Sequence, residues 1–230
     1  MSKAMIGKLL LSGLLLQVCY QGCYFLAIFY QLSPGLVAMV LGLQPLLTPF
    51  VGKEHVSRKG YATLLFGFVG LTLAVYGAKD VSHITALGLV FGIASVMAIT
   101  VGSVYQKSLK AQPVASALIQ NALAAIIFLA ISLFVGWEVN WTTQFMFSAA
   151  WMIFVISTGA VLLLLFMLNN DSASNVSVLF YLVPVLTMVF DYLVFGTAVT
   201  VTTMFGACMV IASIHLFRKP NTISKTANTR

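Results

Sequence analysis

The chain has 230 residues, of which 60% are hydrophobic and only 7% charged, and its mean hydropathy is +1.03. A soluble domain carries about 25% charged residues, so the composition excludes a water-soluble enzyme or binding domain and makes lipid the solvent of this chain. The net charge of +7 is read as basic loops flanking membrane spans, not as a nucleic-acid surface.

The N-terminus, MSKAMIGKLLLSGLLLQVCY, has the basic start and apolar run of a signal peptide. The run continues through QGCYFLAIFY without a small-residue cleavage site, which predicts a retained spanning helix. A helix needs about 20 apolar residues to cross a bilayer. Cutting at charges, Pro/Gly and polar clusters predicts eight such helices, at 9–30, 35–52, 60–77, 84–106, 114–135, 145–168, 174–195 and 200–217. The connections are short, so neighbours run antiparallel, and the predicted class is an all-α membrane protein.

Eight antiparallel spans put Lys3, Lys8, Lys53, Arg58, Lys59, Lys107, Lys110, Arg218, Lys219, Lys225 and Arg230 on one side of the membrane, and Lys79 alone on the other. A wrong span count would scramble this bias. It predicts a multi-pass protein of the inner or plasma membrane with both termini in the cytoplasm. Cys19, Cys23 and Cys208 all lie in apolar runs and are read as packing thiols, with no disulfide framework.

An internal repeat is readable in the same segments. Pro45 and Pro184 lie 139 residues apart, as do Thr48 and Thr187, and the polar stretches QLS (31–33) and NDS (170–172) keep that offset. Beyond the prolines the offset becomes 143, pairing Ser57 with Thr200, Thr63 with Gly206 and Gly70 with Ser213. The prolines fall about ten residues into their helices, ~15 Å deep and half of a ~30 Å hydrocarbon core. Proline cannot donate the helical hydrogen bond. Each therefore frees a carbonyl one turn earlier, which a nearby threonine can help satisfy, and the pair is expected to bend two helices around a cavity.

The copies run in opposite directions through the membrane, the inverted-repeat plan of many transporters. The expected units are an incomplete three-helix first repeat at 1–80, a five-helix second repeat at 81–219, and a disordered tail at 220–230. The second unit has two helices that the first lacks. A ten-helix plan would therefore place about 60–70 further residues ahead of Met1.

The stretches SPGLVAMVLGLQPLLTPFVGKE (33–54), SRKGYATLLFGFVGLTL (57–73), SNVSVLFYLVPVLTMVFDYLVFG (174–196) and TVTTMFGACMVIAS (200–213) resemble the drug/metabolite transporter superfamily, specifically its EamA-type permeases. The resemblance implies two five-helix inverted repeats, with this chain starting at the third helix of the usual ten. It also implies a glutamate ending the proline-bearing helix. Glu54 fits that position in the first copy, and Thr197 stands there in the second.

Polar groups inside spans are expensive in lipid and usually face the interior. The expected substrate-lining set is Gln17, Gln21, Tyr24, Gln44, Thr48, Ser157, Tyr181 and Thr187, with Pro45 and Pro184 as helix-bending residues. These side chains offer hydrogen bonds without a fixed charge. Gly88 and Gly92 form a GxxxG packing face. No Asp or Glu lies centrally in a span, which argues against a buried proton relay, paired-aspartate proteolysis and prenyl transfer through an aspartate-rich metal motif. The three histidines are scattered at helix edges, so no metal or other cofactor is expected.

The resulting expectation is a permease, not an enzyme. Its partners are the lipid bilayer and a small organic solute, such as an amino acid or aromatic compound, moved outward by alternating access. The competing reading is a truncated, non-transporting membrane remnant that serves only as an interaction partner. A third reading is a homodimer whose second copy supplies the missing walls.

Overall fold

A computed structural model of the chain describes residues 2–77, 85–136, 139–195 and 200–218. Among these residues the secondary structure is helical, arranged as eight rods. Helix α1 runs Lys3–Phe29. Helix α2 comprises two segments, Pro34–Leu41 and Gln44–Gly52. Helix α3 is Arg58–Gly77, α4 is Ala86–Leu109 and α5 is Pro113–Val135. Helix α6 runs Thr143–Asn170. Helix α7 is assembled from Ala173–Ser177, a 3-10 turn Val178–Tyr181 and Leu182–Phe195. Helix α8 is Val201–Phe217. The first six rods include apolar stretches long enough to span a bilayer, while Ala173–Leu186 and Val201–Phe217 are shorter apolar helices. The eight predicted spans correspond to these rods. Residues 78–84, 196–199 and the expected tail at 220–230 lie outside the described residues.

Hydroxyl caps start several helices, because a side-chain oxygen can accept from an amide that has no partner in the first turn. Ser33 accepts from the Leu36 amide at 3.4 Å, and Ser172 accepts from the Asn175 amide at 3.0 Å. Both members of this capping pair are displaced by 139 residues. Ser57 caps Gly60 at 3.1 Å and Thr200 caps Thr203 at 3.2 Å, a pair displaced by 143 residues. The two offsets read from the sequence therefore recur as the same local chemistry.

The largest apolar cluster joins α3, α7 and α8 through Leu64, Leu71, Val178, Tyr181, Val210 and Phe217. Helices α3 and α8 cross closely because Gly67, Gly70 and Gly206 leave no side chain between them. A second cluster, Ala27, Leu32, Leu36 and Val37, packs the α1–α2 turn with Phe91 of α4. Gly88 and Gly92 serve that contact: a methyl group on either would meet Leu32, at 2.9 and 3.3 Å. The expected GxxxG face is thus a packing face. Helices α5 and α6 bury little of their most apolar windows, 6% and 11%, and present Ile126, Phe134, Phe147 and Phe154 outward. In lipid such a surface needs no cover.

Candidate functional site

Four backbone interruptions occupy four different rods. Helix α1 widens to a π-helix over Leu14–Cys19, and α6 does so over Met152–Ala160. Helix α2 breaks at Gly42–Leu43, just before Pro45. Helix α7 tightens to the 3-10 turn Val178–Tyr181, just before Pro184. Adding the proline offset of 139 to Leu14–Cys19 gives 153–158, inside the second π-helix. Adding it to the break at 42–43 gives 181–182, the junction ahead of Pro184. Short π-helical stretches and proline breaks leave backbone groups out of the regular ladder, and in lipid these must be satisfied by neighbours.

The neighbours are present. Ser95 of α4 donates to the Tyr20 carbonyl at 3.1 Å, where the π-helix of α1 ends. Asn121 of α5 donates to the Ser157 carbonyl at 3.0 Å, within the π-helix of α6. In the same stretch Thr158 donates to the carbonyl of Ile153 at 3.0 Å. A polar side chain from the neighbouring helix thus meets the backbone just past one widened stretch and inside the other.

The predicted site residues sit on or next to these interruptions. Gln17 is in the π-helix of α1 and nearly buried; its Oε1 accepts from Gln21 Nε2 at 3.3 Å. Tyr24 lies one turn further on, half-buried, with its ring tilted against Tyr20 and edge-on to Phe25. Gln44 and Pro45 open the second segment of α2, both buried. Gln44 Nε2 is buried without a hydrogen-bond partner. Thr48 is fully buried and donates to the Gln44 carbonyl at 2.7 Å. The threonine thus bonds back within its own helical segment, to Gln44, and not to Leu41, the carbonyl one turn before the proline. Pro49, also inside this segment, adds a second missing donor that the sequence reading passed over.

In the other half, Ser157 lies within the π-helix of α6, half-buried. Tyr181 closes the 3-10 turn of α7 with 0% exposure, and its hydroxyl donates to the Leu64 carbonyl at 3.1 Å. Pro184 is buried; the side chain of Thr187 lies outside the described residues. These bonds tie each residue to its own helix or to the helix beside it. The Gln17–Gln21 pair stands on α1, the Gln44–Thr48 pair on α2, and Tyr181 is committed to α3.

The sequence reading missed a buried polar cluster at the end of the bundle that carries Lys3, Lys107 and Arg218. Ser12 donates to Gln106 Oε1 at 2.7 Å, and Gln120 Nε2 donates to the same oxygen at 2.8 Å. Gln106 Nε2 reaches Ser116 Oγ at 3.4 Å, and Gln120 Nε2 also reaches Ser12 Oγ at 3.3 Å. All four residues are essentially unexposed and link α1, α4 and α5. The available signal was the coincidence of two glutamines and two serines in three neighbouring spans. Among the described residues no group of His, Cys, Asp and Glu is placed to hold a metal ion, and the three cysteines are free thiols.

A family model described as the EamA-like transporter family matches residues 86–218. The chain is 24% identical over 232 aligned residues to the "Uncharacterized transporter YvbV" of Bacillus subtilis (strain 168), covering 95% of this chain and 73% of that protein. It is 25% identical over 207 residues to the "Uncharacterized transporter YyaM" of the same organism, covering 85% of this chain and 67% of the relative. A solved structure described as "Crystal structure of protein" matches with a TM-score of 0.78 at 16% identity, over 94% of this chain and 76% of that one, a likeness of fold alone.

Proposed function

Since the chain belongs to the EamA-like transporter family and is a multi-pass membrane transporter, we propose that it moves a small organic solute by alternating access between two inverted repeats, 1–80 and 81–219. The observation that carries this reading is the placement of four backbone interruptions, two π-helical and two at prolines, at positions related by one offset. Interrupted helices near mid-depth are where such transporters build their sites.

The solute would meet the amides of Gln17, Gln21 and Gln44, the hydroxyls of Thr48, Ser157 and Thr187, and the ring of Tyr24. None of these carries a fixed charge. That chemistry favours a neutral or zwitterionic solute with hydrogen-bonding groups and apolar surface, such as an amino acid or a small aromatic compound. The unpartnered Nε2 of Gln44 is the strongest support among these groups. A buried donor left unpaired costs about 1–3 kcal/mol, which an incoming acceptor would recover. Tyr181 would have to trade its bond to Leu64 to face the passage. The basic bias of the loops supports a plasma-membrane protein with both termini in the cytoplasm.

Purified protein in liposomes loaded in turn with amino acids and small aromatic metabolites tests the proposal. Efflux of at least one class above empty liposomes is expected. Gln21→Ala and Gln44→Leu should lower that efflux roughly tenfold, with membrane insertion unchanged, each removing a hydrogen bond to the solute. If no class moves, the permease reading fails; if efflux survives both substitutions, the site fails.

A further inference from the structure

Helix α2 ends at Gly52, and Lys53 follows in the left-handed region at φ +50°. That turn, closed by the Glu54 amide donating to the Pro49 carbonyl at 3.0 Å, aims the Glu54 side chain at the start of α7. Glu54 Oε1 accepts from the Ala173 amide at 2.9 Å, and Oε2 accepts from the Ser174 amide at 3.1 Å. The two partners are 119 and 120 residues away in sequence. A carboxylate on the first amides of a helix is a charge-assisted contact, strengthened by the helix dipole.

The start of α7 also has cap bonds of its own. Asp171 Oδ1 accepts from the Ser172 amide at 2.7 Å, and Ser172 Oγ accepts from the Asn175 amide at 3.0 Å. Helix α7 thus carries its own cap, and Glu54 adds a bond between two rods. The same turn gathers two more helix ends: Lys107 at the end of α4 donates to the Asp171 carbonyl, and Arg218 beyond α8 pairs with Asp171 Oδ2 at 3.3 Å.

The position matching Glu54 in the second copy lies toward the opposite end of the bundle. There α2 begins with its own serine cap, Ser33. The position 143 residues after Glu54 is Thr197, so the sequence offers no carboxylate at the corresponding place. The two copies therefore differ in sequence at this position.

We infer that Glu54 is the positioning residue of an inter-repeat latch: its bidentate contact with Ala173 and Ser174 holds the ends of α2 and α7 together at the basic end, and breaking that contact opens this end of the passage. The inference rests on the alternating-access reading above and adds to it an asymmetry. One gate is held by a carboxylate and is broken as a unit, while at the position matching Glu54 in the second copy the sequence has Thr197.

The test uses the full chain in membrane vesicles of both orientations, with Cys19, Cys23 and Cys208 replaced by alanine. A reporter thiol is placed at Ser177→Cys, 2% exposed and one turn beyond the latch. A control thiol is placed at Ala27→Cys, buried in the cluster at the opposite end. A membrane-impermeant maleimide is the probe. In the orientation exposing the C-terminal tail, Glu54→Gln should speed labelling of the reporter roughly tenfold, the effect of losing one charge-assisted bond. Glu54→Asp, which keeps the charge on a shorter arm, should give an intermediate rate, and the control thiol, read in vesicles of the opposite orientation, should not change. An unchanged reporter rate, or an equal rise at both thiols that marks general loosening, overturns the latch. Labelling requires no transported solute. A failed efflux screen therefore removes the permease reading without touching this result, and an unchanged labelling rate removes the latch without touching efflux.

Discussion

Gly70 and Gly206 meet backbone to backbone where α3 crosses α8: a methyl group on Gly206 would lie 2.4 Å from the Gly70 carbonyl oxygen. A second contact along the same crossing joins Ser213, which donates to the Thr63 carbonyl at 2.7 Å. Thr63 and Gly206 are 143 residues apart, as are Gly70 and Ser213. Exchanging repeat partners turns one contact into the other, as an internal two-fold axis through this crossing requires. The relation supports the inverted-repeat reading more directly than sequence identity does.

That crossing should be intolerant of added volume. Gly206→Ala has no room to relax, because the atoms it meets are backbone of α3. It is expected to cost about 1–3 kcal/mol, the usual range for overpacking. Gly7→Ala in α1 meets nothing within 4 Å and should instead stabilise, by up to ~1 kcal/mol from helix propensity. Thermal unfolding in detergent, followed by the loss of monodisperse protein, should shift down for the first variant and not for the second.

The polar cluster of Ser12, Gln106, Ser116 and Gln120 should behave as a unit. Gln106→Leu removes the oxygen that accepts from both Ser12 and Gln120. The expected cost is about 1–2 kcal/mol, since interhelical hydrogen bonds in membranes are modest and the abandoned donors are buried. A double-mutant cycle of Ser12→Ala with Gln106→Leu should be clearly non-additive. Strict additivity would show that the Ser12–Gln106 bond contributes nothing of its own.

The prolines predict an effect on rate more than on stability. Each begins or nearly begins a helical segment, where its missing N–H costs little. Pro45→Ala and Pro184→Ala are therefore expected to leave unfolding temperature within a few degrees, a change below ~1 kcal/mol. If the breaks shape the passage, the same variants should lower efflux roughly tenfold, a barrier change of about 1.4 kcal/mol. Parallel measurement of unfolding and efflux decides between a cavity-shaping break and a simple packing kink.

Composition, basic-residue bias and proline spacing were enough to determine the membrane class, the eight rods and the offsets at which Ser33 and Ser172, or Ser57 and Thr200, recur as caps. These are properties of single segments: hydropathy over a span, and a hydroxyl next to its own first turn. Gln17, Gln44, Thr48 and Ser157 were visible for the same reason, because a polar residue inside an apolar run stands out. Only the tertiary structure decided what those groups bond to. The π-helical stretches at Leu14–Cys19 and Met152–Ala160 have no signature in residue type, and the bonds of Ser95 to Tyr20 and of Asn121 to Ser157 come from neighbouring rods. The commitment of Tyr181 to Leu64, and of Glu54 to amides 119 and 120 residues away, likewise depends on which rods are adjacent. In lipid every rod is apolar on most of its surface, so hydropathy tells where a helix lies but not which neighbour it meets. That choice is made by close backbone approach and by the few polar groups that must find partners.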